Sequence, residues 1–79
     1  MSNIENYRSA FVNAFGVDES HLEKLEYQEI EEWDSVGHMQ LIALIEETFD
    51  IMIDTDDMID FGSFEKGKEI LSKYGITID

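Results

Sequence analysis

The sequence predicts an all-α protein, a small four-helix bundle with three longer helices, one short third helix and a long loop between helices one and two. Two observations favour this fold class. Apolar residues recur at three- and four-residue steps, which places them on one face of successive helices. The 79 residues include no proline, which would interrupt a helix. This length suits one domain, so we expect a single unit over residues 1–79.

The first helix is predicted close to the N-terminus. Ser2 or Asn3 can cap its start, and Gly16 can take the left-handed conformation that ends it. Its inner face consists of apolar residues at helical spacing: Ile4, Tyr7, Phe11, Ala14 and Phe15.

The connection that follows, from about Val17 to Trp33, is longer than most loops in compact domains. We expect a short helical turn capped by Asp18 within it. Apolar side chains recur along the segment and should anchor it over the core: Leu22, Leu25, Tyr27, Ile30 and Trp33.

The second helix is predicted to begin at Asp34-Ser35 and to end at about Phe49. Leu41, Ile45 and Phe49 are four residues apart and form its buried stripe, with Ile42 alongside.

The opposite face of this helix mixes apolar and acidic side chains. Such a face suits a transient protein contact, although an ordinary helix surface with a few apolar groups is the alternative. The residues concerned are Val36, Gln40, Ala43 and Glu47, with Met39 and Glu46 at one flank.

The remaining chain is predicted to form an extended connector and two helices. The connector covers Asp50–Asp54, and the short third helix runs from Asp56 to about Phe61. Ser63 should cap the last helix, and Gly75 should end it. The inner face of that helix is Phe64, Gly67, Ile70, Leu71 and Tyr74, where Gly67 permits a close helix approach.

Acidity is the strongest feature of the composition. Nineteen acids face five bases, for a formal net charge of −14, and no Lys or Arg occurs between Lys24 and Lys66. Such a field repels nucleic acids and anionic membranes. It speeds encounters with proteins that carry basic patches, although solubility alone would also explain it.

The sequence also bears on location. The N-terminus lacks a basic segment followed by an apolar run, as a secretion signal would have. The longest apolar run, Leu41–Ile45, is too short to cross a bilayer. These two observations predict a cytoplasmic protein without membrane insertion. The chain has no cysteine, so no disulfide can form, and we expect a monomer.

Asp34 and Ser35 stand where the second helix begins. Both residue types are common helix caps, so a plain cap is one interpretation. A helix N-terminus also stabilises an anion through its unpaired N–H groups and its dipole. A phosphodiester built on Ser35 would therefore lie in a favourable position.

The segment from Asp34 to Ile51 resembles the signature of the acyl carrier protein family. That signature has Asp-Ser followed by Leu or Val, apolar helical positions, and then Glu, Phe and Asp before a branched apolar residue. The resemblance extends over nearly the whole chain in its helix lengths, loop and acidity. The matching positions are Asp34, Ser35, Val36, Leu41, Ile45, Glu46, Phe49, Asp50 and Ile51.

The resemblance implies a carrier without catalytic activity of its own. A phosphopantetheinyl transferase (a holo-acyl carrier protein synthase) would attach 4'-phosphopantetheine from coenzyme A to Ser35 in a magnesium-dependent reaction. The thiol of that arm would carry an acyl or aminoacyl group as a thioester between a loading enzyme and an acyltransferase with basic patches. The side chains expected to contact these partners are Val36, Met39, Gln40, Ala43, Glu46 and Glu47.

Several positions depart from the family pattern. Carriers of fatty acid synthesis have acids where this chain has Gly37 and Gln40. Trp33 stands where a small residue is common, and Asp54 replaces the usual proline. We therefore expect a specialised carrier, in glycan acylation, secondary metabolism or D-alanine transfer.

Other singled-out side chains have plainer interpretations. His38, one turn after Ser35, is interpreted as an exposed helix residue, with contact to a phosphate or a partner as the alternative. His21 is expected at the surface and Trp33 is expected to anchor the loop. Met39 is either contact surface or partly buried.

Two alternatives to a carrier follow from the acids. The chain could be an acidic interaction module without a prosthetic group. It could also be a calcium binder of the EF-hand type, because Asp54, Asp56, Asp60 and Glu65 match loop positions one, three, seven and twelve. Met58 and Ile59 at positions five and six oppose this, since position six requires glycine. No catalytic set and no other metal site is predicted.

Overall fold

The computed structural model describes residues 2–78, and it confirms the predicted fold class. The α-helices are α1 (Asn3–Phe15), α2 (Ser35–Phe49), α3 (Thr55–Asp60) and α4 (Phe64–Ser72). A 3₁₀ turn at Glu19–His21 lies in the α1–α2 connection. Residues 2–78 contain no β-strand, and an isolated backbone bridge joins Glu26 to Ser63.

Helix α1 begins and ends at the predicted residues. The Ser2 hydroxyl accepts a hydrogen bond from the Glu5 N–H at 3.3 Å, and the Glu5 carboxylate accepts from the Ser2 N–H at 3.4 Å. Gly16 has φ 69° and donates its N–H to the Val12 carbonyl at 2.7 Å. Both ends of the helix are thus fixed by local hydrogen bonds.

The core is built on aromatic rings from three parts of the chain. The Phe11 ring lies 5.0 Å from Tyr7, 5.0 Å from Phe64 and 5.6 Å from Trp33, between ring centroids. The buried Tyr7 hydroxyl donates to the Phe64 carbonyl at 2.7 Å. Burial raises the pKa of Tyr7 far above its usual range. Each such aromatic pair adds about 0.5–1.5 kcal/mol beyond burial.

Gly67 allows α4 to lie against α1, as the sequence predicted. A Cβ at this position would be 2.1 Å from the Tyr7 hydroxyl oxygen and 2.3 Å from Cζ of Phe61. Any larger residue would push apart the helices that enclose the core.

The long connection is anchored over the core, largely as expected. Leu22, Leu25 and Trp33 are buried and Ile30 is half-buried. Tyr27 differs from the expectation because it is 39 % exposed and contacts Trp33 only edge to face.

Polar contacts also fasten this connection. Asp18 caps the 3₁₀ turn by accepting from the Ser20 N–H at 3.0 Å, which lowers the pKa of its carboxyl group. Arg8 of α1 pairs with Glu23. The Phe64 N–H donates to the Leu25 carbonyl at 2.9 Å, so the connection is also tied to the start of α4.

The extended connector between α2 and α3 is confirmed, and one acid holds it in place. Asp50 ends α2 with φ 55°. A carboxylate oxygen of Glu46 accepts from the Ile53 N–H at 2.8 Å. Glu46 thus stabilises a turn within its own chain.

Helix α4 ends at Ser72, before the predicted stop at Gly75. Gly75 does take a left-handed conformation, with φ 82°. Tyr74 lies in the turn after the helix, where its hydroxyl donates to Asp57 at 2.6 Å and accepts from the Asp54 N–H at 2.8 Å. The chain end is therefore fastened to the start of α3.

Across residues 2–78, no helix has both the length and the apolar character needed to cross a bilayer.

Candidate functional site

Ser35 is the first residue of α2, and its side chain is exposed. Asp34 is the N-cap and accepts from the Gly37 N–H at 2.8 Å through Oδ1. The His38 N–H donates to the Asp34 carbonyl at 2.8 Å. The cap thus holds Ser35 at the positive end of a helix of 15 residues, with its hydroxyl accessible.

The end of the long connection lies directly on the first turn of α2. A Cβ on Gly37 would be 1.8 Å from the Glu32 carbonyl oxygen and 3.2 Å from Cε1 of Phe15. The residue two positions after Ser35 therefore has no room for any side chain.

His38 is not an exposed helix residue, so that interpretation from the sequence was wrong, while contact with a phosphate or a partner stays a prediction. His38 is half-buried. Its Nδ1 accepts from the Trp33 indole N–H at 2.9 Å, and its Nε2 lies 2.7 Å from the Met58 carbonyl oxygen. An indole can only donate and a carbonyl can only accept, so the ring is neutral with its proton on Nε2.

Trp33 anchors the connection as expected. It is fully buried, and its ring stacks on Phe15 at 5.2 Å and lies nearly parallel to His38 at 6.2 Å, between centroids. The hydrogen bond to His38 satisfies its buried indole N–H.

A cavity of about 270 Å³ lies beside this cluster, one helical turn from Ser35. It is lined by Tyr27, His38, Ile59, Phe61 and Gly62. A wider groove of about 530 Å³ lies along the α1–α2 connection, with Val17, Leu25 and Ile30 among its lining residues.

Most of the side chains predicted to meet a partner are exposed on α2. Val36 is 66 % exposed and Met39 is 54 % exposed, which resolves Met39 in favour of surface. Gln40, Ala43 and Glu47 are exposed as well.

Glu46 differs from the rest of that set because it is half-buried and bound to the Ile53 N–H. Ile59 of α3 is 75 % exposed and was not predicted as a surface residue. A helix of six residues is too short for apolar spacing to indicate which of its side chains face solvent.

The structure around Asp54–Glu65 differs from the loop that an EF-hand calcium site requires. The residues that would wrap around calcium include helix α3 (Thr55–Asp60), where a coordinating loop would have to be. In the part of the chain that the structure describes, no group of three or more His, Cys, Asp or Glu side chains is arranged to hold a metal ion.

Comparison with known proteins identifies no relative: no family model, no curated protein and no solved structure matches this chain.

Proposed function

We propose that this protein is a carrier that holds an acyl or aminoacyl group as a thioester on a phosphopantetheine arm attached to Ser35. The observation that supports it most is the exposed Ser35 hydroxyl at the first position of α2, behind an Asp34 cap. That pair opens the segment whose sequence resembles the acyl carrier signature.

The attachment is a phosphoryl transfer from coenzyme A. The Ser35 Oγ forms a bond to the phosphorus that bears pantetheine, and the P–O bond to the other phosphate of the diphosphate breaks. Adenosine 3',5'-bisphosphate leaves, and the Ser35 proton passes to a base of the transferase. The phosphodiester gains about 0.3–1 kcal/mol from the helix N-terminus. The reactive thiol comes with the arm, since the chain has no cysteine.

The exposed side of α2 is the proposed contact surface for the transferase, the loading enzyme and the acyltransferase. Val36 and Met39 supply apolar contact close to Ser35, and Glu47 supplies charge farther along the helix. A net charge of −14 attracts partners with basic patches. The absence of an acid at Gly37 supports a specialised pathway, and the coenzyme A donor supports a cytoplasmic location.

Intact mass tests the attachment. Wild-type protein is incubated with coenzyme A, magnesium and a promiscuous phosphopantetheinyl transferase, beside Ser35→Ala and the control Ser9→Ala, which changes an exposed residue of α1. We expect one arm on wild type and on the Ser9 variant, and none on the Ser35 variant. An unmodified wild type would refute the carrier and leave an acidic interaction module.

The contact surface is tested by charge reversal. Glu47→Lys should slow transferase association at low salt, with a smaller effect on dissociation. Glu69→Lys, on exposed α4 surface, is the matched control. Glu46 is unsuitable because its reversal would also break the bond to Ile53. Equal association rates for the two variants would remove α2 from the interface.

A further inference from the structure

We propose that His38 is a pH-sensitive latch: its neutral ring holds α3 and the long connection against α2, and protonation of Nδ1 loosens α3. The latch goes beyond the carrier function and does not depend on whether Ser35 bears an arm.

The ring joins three parts of the chain through two hydrogen bonds. His38 itself belongs to α2, Trp33 closes the long connection, and Met58 belongs to α3. The two bonds leave opposite sides of one rigid imidazole. A change at either nitrogen therefore affects both contacts.

Protonation changes only Nδ1. The neutral nitrogen accepts from the Trp33 indole N–H at 2.9 Å. With a proton of its own, it becomes a donor facing a donor, and the indole of a fully buried Trp33 loses its acceptor. The rotation that separates the two donors also turns Nε2–H away from the Met58 carbonyl.

Helix α3 has few other contacts to hold it. It has six residues, no side-chain hydrogen bond at its N-cap and no fully buried residue. A helix of this length is not stable alone. The other side-chain hydrogen bonds to the helix reach Asp57, from Lys73 and Tyr74, and the Met58 side chain packs against the core. Loss of the hydrogen bond to His38 therefore leaves the C-terminal half of α3 held only by apolar packing, of Met58 and of Phe61 directly after the helix.

No carboxylate near the ring compensates for the added charge. The ion pairs of residues 2–78 do not include His38, so no acid oxygen lies within 4 Å of its nitrogens. Acids on each neighbouring element are bound elsewhere or exposed.

On α2, Asp34 is bound to the Gly37 N–H. On the connection, Glu29 accepts from the Glu26 N–H, and the Tyr27 ring lies edge-on to His38 at 5.4 Å. Two α3 acids complete the set: Asp57, held by Lys73, and Asp60, which is exposed.

Loosening of α3 would widen the cavity of about 270 Å³ that His38 lines. His38 and Ile59 both line it, from α2 and α3 respectively. Acid would thus change access to a space one turn from the proposed attachment site.

Hydrogen exchange measured by NMR tests the latch in the full chain. Between about pH 8 and pH 5, where imidazoles take up a proton, the opening constant of α3 amides such as Met58 should rise about tenfold, after correction for intrinsic exchange. Tenfold corresponds to about 1.4 kcal/mol, within the range for one lost hydrogen bond. Amides of α1 should not change.

Two variants distinguish the effect of His38 on α3 from that of His21. His38→Phe keeps a flat ring but neither hydrogen bond, so α3 should be open at both pH values. His21→Gln alters an exposed histidine and should behave as wild type. The proposal is overturned if α3 keeps its pH response in the His38 variant, or if α1 and α3 loosen together.

A direct readout covers the case in which His38→Phe fails to fold. In wild type, ¹⁵N shifts of the imidazole should show the Nε2–H tautomer near pH 8. Protonation of Nδ1 should then coincide with a shift and faster exchange of the Trp33 indole proton. The latch would be refuted by the Nδ1–H tautomer at high pH. It would also be refuted if the shift and exchange rate of the Trp33 indole proton did not change during the titration.

Discussion

Replacement of Gly37 by alanine tests whether the long connection really rests on α2. The added Cβ would be 1.8 Å from the Glu32 carbonyl oxygen. No rotamer change can relieve this contact, because the obstructing atom belongs to the backbone. The segment that carries Trp33 must move instead, and it draws a fully buried indole away from Phe15 and His38.

Three effects determine the change in the free energy of unfolding of Gly37→Ala. Overpacking costs about 1–3 kcal/mol, whereas alanine gains about 1 kcal/mol over glycine inside a helix. Loss of the hydrogen bond between Trp33 and His38 adds about 1 kcal/mol to the cost. The net loss is about 1–3 kcal/mol, a large part of the stability of so small a domain.

Urea unfolding followed by the fluorescence of Trp33, the chain's one tryptophan, measures this loss. With a slope of about 1 kcal/mol per molar urea, the midpoint of Gly37→Ala should fall by about 1–3 M. Gly62→Ala is the matched control, since its Cβ would meet no atom closer than 3.8 Å. A Gly37 variant as stable as wild type, with an unchanged slope, would show that the connection does not rest on this turn.

Three further predictions concern stability. Gly67→Ala should lower the free energy of unfolding by about 2 kcal/mol, because its Cβ would lie 2.1 Å from the Tyr7 hydroxyl oxygen and 2.3 Å from Phe61; an unchanged urea midpoint would contradict this. The hydrogen bond from Lys73 lowers the pKa of Asp57. The stability that Asp57 contributes is therefore complete near neutrality and is lost as the pH falls below about 4, so the urea midpoints of wild type and Asp57→Asn should converge in acid. Moderate salt should raise the melting temperature by screening a net charge of −14, and a melting temperature that ignores salt would count against repulsion.

The helices could be predicted because their signals are local. The capping box of Ser2 and Glu5, the left-handed Gly16 and the Asp34 cap each act within four residues of chain. Apolar spacing also predicted the burial of Leu41, Ile42 and Ile45 on α2, although Phe49 of the same stripe is only half-buried. The lack of a side chain at Gly67 predicted the close approach of α4. These features need no knowledge of the tertiary fold.

The predicted positions of side chains were wrong where a polar group forms a hydrogen bond with a distant segment of the chain. His38 was expected at the surface, but the carbonyl it binds lies 20 residues away, at Met58. Glu46 was placed beside an exposed helix face, but it is half-buried and accepts from an N–H seven residues later. Tyr74 ends beyond α4 because its hydroxyl reaches Asp54 and Asp57. Nothing in residue type or periodicity specifies such partners.

Trp33, Gly37 and His38, which lie close to Ser35 in the sequence, depend on one another. Trp33 fills the space between Phe15 and α2. A buried indole N–H needs an acceptor, and His38 provides it. The connection can come close enough for that bond because Gly37 has no side chain. Trp33, Gly37 and His38 therefore form one structural unit, in which a change at any member removes the reason for the other two.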